Sequence, residues 1–216
     1  MDFNIRITNK AMVLFVIYLL LWILLHNLLT SSFPIEARIP SLNELWMKSN
    51  SLKKLFNDIN FWSTSIGICI YISVELFTVS SIILIFSKLL KIDNSFPKSL
   101  LIVILAHIIF LIQHIIECLF LIKNTTFFNN VRRENFSFFS ISYFFQIHKF
   151  NFNKSFNYLF QTISIFEIIY WIMLSLFLSK MLSIKIKNAI ILISISYLPI
   201  FFLWLIAITF LNIMNS

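Results

Sequence analysis

The chain has 216 residues, 59% of them hydrophobic and only 12% charged, with a mean hydropathy of +0.90. A soluble domain of that size exposes too much surface to hide so much apolar area, so the composition excludes the water-soluble classes and predicts an all-α membrane protein. The net charge of +8 comes from bases scattered beside apolar runs, with no basic face on a soluble module, which excludes nucleic acid as a partner.

Arg6 and Lys10 precede an apolar run from Ala11 to Leu25 that extends through His26 to Thr30. No small-x-small cleavage site follows, so residues 11–30 read as a retained first span rather than a signal peptide. About 20 residues at ~1.5 Å each are needed to cross the hydrocarbon core, and this run meets that length. His26, near its outer end, reads as an interfacial residue.

Between Ser31 and Trp62 lies a mixed connector. Ser41 with Glu44 fits a capping box, and Leu42, Leu45, Trp46, Leu52, Leu55, Phe56, Ile59 and Trp62 recur at helical spacing. This predicts an amphipathic helix lying in the membrane interface, anchored by Trp46 and Trp62. A helix packed on the protein's own loops fits the same pattern.

Further spans are predicted at 63–87, 99–122, 158–179 and 189–214, which makes a bundle of five transmembrane helices and a single integral membrane domain. Pro199 falls inside the last span and is expected to kink it, because proline deletes one backbone hydrogen bond. Cys69 and Cys118 both fall in apolar spans and read as buried thiols rather than a disulfide.

Orientation follows from the loops. The N-terminus and the two short connectors, the latter carrying Lys88, Lys91, Lys98 and Lys180, Lys185, Lys187, concentrate their bases beside span ends. The long connectors spread theirs thinly. Short loops weigh most in the positive-inside rule, so the N-terminus is expected in the cytoplasm and the C-terminus outside.

Apart from the interfacial His26, five Glu and His residues stand inside these spans: Glu75, His107, His114, Glu117 and Glu167. Charge is expensive in hydrocarbon, so such residues mark a functional path or a buried helix contact. Residues on a helix advance by ~100°, so His107, His114 and Cys118 fall near one line, with Glu117 on the same broad face. Glu75 and Glu167 lie near mid-membrane in their predicted spans, at the depth of the two histidines. Three readings stay open: Glu–His pairs that join helices, a proton or ion path through Glu75, Glu167 and His114, and a metal site using His107, His114, Glu117 or Cys118.

No cofactor is expected. The single glycine, Gly67, leaves no P-loop and no dinucleotide fingerprint, there is no G-x-S-x-G elbow, and no HExxH or CxxC spacing supports a metal. Scarce glycine also argues against a transporter of broken helices. The abundance of Phe, Ile, Asn and Lys is what an AT-rich genome produces, so the 26 phenylalanines carry no function by themselves.

Phe136 to Ser142, FSFFSIS, and Ser164 to Met181, SIFEIIYWIMLSLFLSKM, resemble the Phe-Ser…Leu-Ser segment and the Asn/Ser-x-Phe-Glu-x-x-Tyr-Trp span of five-helix bacterial membrane proteins. Those are similar in turn to the Yip (Rab-GTPase-interacting) membrane family. The resemblance covers about the last 80 residues, and it departs where Phe138-Phe139 replace Pro-Leu. It implies five spans, a cytoplasmic N-terminus and a role in binding and membrane organisation, with Glu167, Tyr170 and Trp171 as helix-packing and interface residues.

The expectation is therefore a non-enzymatic accessory subunit in membrane organisation or trafficking, in a bacterial inner membrane. Its partners would be the lipid bilayer and other membrane proteins or a second copy. A channel or transporter subunit with a protonatable Glu/His path is the alternative, and a membrane enzyme on lipid-like substrates the next.

Overall fold

The computed structural model describes residues 2–31, 50–123, 140, 160 and 163–214; within these, the side chains at 2–6, 26, 28–31, 50–64, 118, 120–123, 208 and 211–214 are outside the description. The described residues form five helices and no strand: α1 (Asp2–Ser31), α2 (Asn50–Leu89), α3 (Phe96–Lys123), α4 (Ile165–Met181) and α5 (Ile186–Met214). Four of them contain stretches long and apolar enough to cross a membrane: Ile7–Leu25, Ser65–Leu89, Phe96–Glu117 and Ile186–Ala207. That is the signature of an integral membrane protein.

Two boundaries differ from the sequence reading. Residues 50–62 belong to α2, whose 40 residues run without a break through Trp62 and Ser63. The capping pair Ser41 and Glu44, with Trp46, lies outside the described residues. The fourth helix begins at Ile165 rather than near residue 158, because Ser164 is extended (φ −116°, ψ 163°) and its hydroxyl accepts the Glu167 amide as an N-cap. With 17 residues, α4 is about 25 Å long, the shortest of the five. Glu167 consequently sits in its first turn instead of mid-helix. Helix α5 continues through Pro199.

Packing follows the apolar faces. Helix α3 touches α1, α2 and α4, while α5 touches α4 and α2, so α2, α3, α4 and α5 close a ring and α1 lies against α2 and α3. Leu76, Ile83, Ile102, Leu174, Leu178, Leu192 and Leu205 fill the ring's core. Half of the α3 span is buried against 11% of the α1 span, which makes α3 the central helix and α1 a peripheral one. The outer faces carry Ile, Leu, Val and Phe, the surface a bilayer solvates without cost.

Local chemistry explains how so many serines are tolerated. Ser73, Ser80, Ser87, Ser175 and Ser196 each donate to the carbonyl four residues back, at 2.6 to 2.9 Å. A hydroxyl satisfied inside its own helix needs no water.

The hairpin turns are alike. After α2, the Ile92 amide bonds the Ser87 carbonyl at 2.8 Å over Lys91 at φ 57°. After α4, the Ile184 amide bonds the Ser179 carbonyl at 3.1 Å over Ser183 at φ 53°. Both are Schellman closures with a non-glycine residue in the left-handed position. Asn94 then ties the α2–α3 turn together, donating to the Ser87 and Ser99 hydroxyls at 3.1 and 2.8 Å while accepting the Ser95 amide.

The buried residues of α3 concentrate in its first half, from Ser99 to His107, and those of α4 run from Phe166 to Leu178. Tyr170 meets His107 and Phe110. The two helices therefore run antiparallel, and both turns lie at one end of the bundle. Lys10 joins them there, because it shares an apolar groove of about 430 Å³ with Leu101 and Leu105.

Candidate functional site

Polar side chains from all five helices converge in one layer, about half-way along the bundle. Tyr18 and Trp22 come from α1, Glu75 from α2, His107 from α3, Glu167, Tyr170 and Trp171 from α4, and Tyr197 from α5. The layer exists because each helix places a polar residue on its inward stripe, where lipid cannot solvate it and another helix must.

One half is a chain from α1 to α2. The Trp22 indole donates to the Tyr18 hydroxyl at 2.6 Å. That hydroxyl meets His107 Nδ1 at 2.5 Å and the His107 carbonyl at 3.2 Å. On the other side of the imidazole, Glu75 Oε1 lies 3.2 Å from Nε2. The carboxylate sits off the N–H axis, so this contact is electrostatic rather than a straight hydrogen bond. His107 is enclosed, with 4% of its side chain exposed, whereas 32% of Glu75 is exposed. Glu75 is the open end of the chain.

The other half joins α4 and α5. Glu167 Oε1 accepts the Trp171 indole at 2.8 Å and the Tyr197 hydroxyl at 3.0 Å. The first turn of α4 adds the positive end of its helix dipole. Between the halves stands Tyr170, fully buried, with ring centroids 5.7 Å from both His107 and Tyr197. Its hydroxyl makes no hydrogen bond, although Glu75, Glu167 and Tyr18 all lie within its electrostatic reach.

His114 and Glu117 form a separate cluster further along α3. His114 stacks on Trp22 at 5.0 Å, and its Nδ1 stands 3.7 Å from Glu117, beyond hydrogen-bond distance. Glu117 instead accepts from Gln113 at 2.9 Å. Among the five ionisable residues singled out from sequence, the structure thus brings Glu75, His107 and Glu167 into one layer and leaves His114 and Glu117 two turns away.

His107 and His114 face different partners. Among the described residues, no group of three His, Cys, Asp or Glu side chains could hold a metal ion. The Cys118 and His26 side chains lie outside the described residues, and Cys69 is a free thiol.

Tyr18, Trp22 and Tyr197 were missed by a reading keyed to ionisable groups. Their signal was present, since a tyrosine hydroxyl in the middle of an apolar span needs a partner as surely as a carboxylate does. No family model, curated protein or solved structure matches this chain.

Proposed function

We propose that this chain is a non-enzymatic integral membrane protein, an interaction or accessory subunit in membrane organisation or trafficking. The observation that carries the reading is the reciprocal pairing of its polar groups. Tyr18 bonds His107, and Glu75 faces its imidazole at 3.2 Å, across three helices, while Glu167 accepts from Trp171 and Tyr197 across two. Interhelical contacts of this kind hold a bundle together in lipid. The resemblance of Phe136–Ser142 and Ser164–Met181 to Yip-like proteins points the same way.

In this reading α4 completes five spans, and residues 50–62, which keep the apolar spacing of an amphipathic segment, continue α2 beyond the hydrocarbon core into the interface. The end bearing Lys10, Lys88, Lys91, Lys98, Lys180, Lys185 and Lys187 faces the cytoplasm of a bacterial inner membrane, as the positive-inside rule requires. Lipid surrounds the apolar faces, and a second membrane protein or another copy of the chain docks on part of them.

The test is substitution at the pairing groups. Glu75→Gln and Glu167→Gln are expected to lower the melting temperature in detergent without a flux defect in proteoliposomes separable from protein level. Ion or proton flux by the wild type that vanishes in Glu75→Gln at unchanged abundance would overturn the proposal in favour of a transporter subunit.

A further inference from the structure

The apolar groove between α1 and α3 has a volume of about 430 Å³. That falls within the range of small-molecule sites, ~300–1,000 Å³. Asn9, Lys10, Val13 and Leu14 form one wall, and Leu101 and Leu105 the other. Lys10, Val13 and Leu14 share one face of α1 by their i, i+3, i+4 spacing, and Leu101 and Leu105 stand one turn apart on α3.

The two helices meet at Tyr18–His107 and Trp22–His114, so the groove is a cleft beside a closed contact. Val13 is 58% exposed, and the cleft therefore opens sideways, toward the bilayer. A further helix, about 10–12 Å across with its side chains, would bridge such a cleft without filling it. An acyl chain enters it.

At the mouth of the groove stands charge without a partner. Lys10 is exposed, and its stem lines the groove while its ammonium stands outside. Lys98 lies three residues before Leu101 and seven before Leu105. At ~100° per residue that puts it on the same stripe of α3, one turn nearer the bundle end.

Among the described side chains, this end carries seven lysines and a single acid, Asp93, and no acid lies within salt-bridge distance of any of them. The first turn of α3 holds no acid either, so the positive end of its helix dipole adds to the field. Basic pockets between transmembrane helices suit anionic lipid head groups.

We propose that the α1–α3 groove binds one anionic phospholipid, with an acyl chain against Val13, Leu14, Leu101 and Leu105 and the phosphate between Lys10 and Lys98. A zwitterionic lipid supplies the chain without the net charge, and free phosphate the charge without the chain. The site singles out one lipid class from those that surround the bundle. It rests on the membrane location of the chain, not on its role as an accessory subunit.

Native mass spectrometry of the full chain in neutral detergent, titrated with dioleoyl phosphatidylglycerol or dioleoyl phosphatidylcholine, tests this. One phosphatidylglycerol is expected to bind about 25-fold more tightly than phosphatidylcholine, about fivefold for each of two lysines near an anionic head group. Lys10→Gln and Lys98→Gln should each remove about fivefold of that preference. Val13→Trp, which fills the groove from its exposed side and keeps both lysines, should abolish it. Lys180→Gln combined with Lys185→Gln, at the same end but on α4 and its turn, should leave it intact.

Equal affinity for the two lipids overturns the proposal. So does a loss in the Lys180/Lys185 variant as large as that in Lys10→Gln, which would mean a diffuse field rather than a site. Competition by millimolar inorganic phosphate shows an ion site without a chain, and a dimer that Val13→Trp dissociates gives the groove to a second copy; either result overturns it. Should Val13→Trp fail to fold, Lys10→Gln decides, because that lysine is exposed and its loss leaves the packing unchanged. Lipid preference and flux are separate readouts, so the lipid site and the accessory-subunit reading fail independently.

Discussion

At the scale of single residues, the polar layer is held by hydrogen bonds between helices that lipid tails cannot replace. Such interhelical bonds are worth about 1 kcal/mol each, because polar groups in the unfolded chain also find partners within the membrane. Tyr18→Phe removes the contacts to Trp22, His107 Nδ1 and the His107 carbonyl together. It is expected to cost about 1–3 kcal/mol in detergent unfolding, since it also leaves a buried ring nitrogen unpaired. His107→Phe should cost a similar amount, and the double variant much less than the sum, because both changes break one chain. Additive losses would show that the two residues act separately. Tyr170→Phe has the opposite sign: deleting an unbonded buried hydroxyl should leave stability unchanged or raise it by about 1 kcal/mol.

At the scale of elements, the two turns decide how the hairpins close. Lys91 and Ser183 occupy left-handed backbone at φ 57° and 53°, which costs a residue with a Cβ roughly 1–2 kcal/mol. Ser183→Gly is therefore expected to raise stability by about 0.5 kcal/mol once the added freedom of the unfolded glycine is subtracted, and Ser183→Val to lower it. Thermal unfolding in detergent checks both signs. Asn94 is the element-level clasp, because its three hydrogen bonds join the last turn of α2 to the first of α3. Asn94→Ala should cost about 1–3 kcal/mol, with the loss appearing first as faster backbone amide exchange around Ser87 and Ser99. The α4 boundary is also an element-level matter. Apolar residues continue upstream of Ile165, so periodicity alone carries a span back to residue 158, whereas the extended Ser164 and its bond to the Glu167 amide stop the helix.

At the scale of the whole molecule, a ring of four helices with α1 on its flank presents a basic end and an apolar girth. A cytoplasm-dependent reporter fused after Ser216 is expected to stay silent under the proposed topology of five spans and a cytoplasmic N-terminus. A strong signal from that fusion would reverse the orientation or remove one span from the count. The ring also explains why α1 has so few buried positions: among its described side chains Ala11 and Tyr18 are buried, Leu14, Phe15, Leu19, Trp22 and Leu25 pack partly buried against the core, and the outer face is exposed.

What the sequence determined by itself was set by local and compositional physics. Apolar runs of membrane-spanning length made the helices legible, and the ionisable residues within them were conspicuous because hydrocarbon penalises each one wherever it lies. Tertiary structure alone decided which of those residues meet. Glu75, His107 and Glu167 are far apart in the chain and belong to three helices, so their shared layer depends on helix rotation and on the antiparallel docking of α3 and α4. His114 lies near the same helical line as His107, yet it stacks on Trp22 outside that layer, because alignment along one helix says nothing about which neighbour stands opposite.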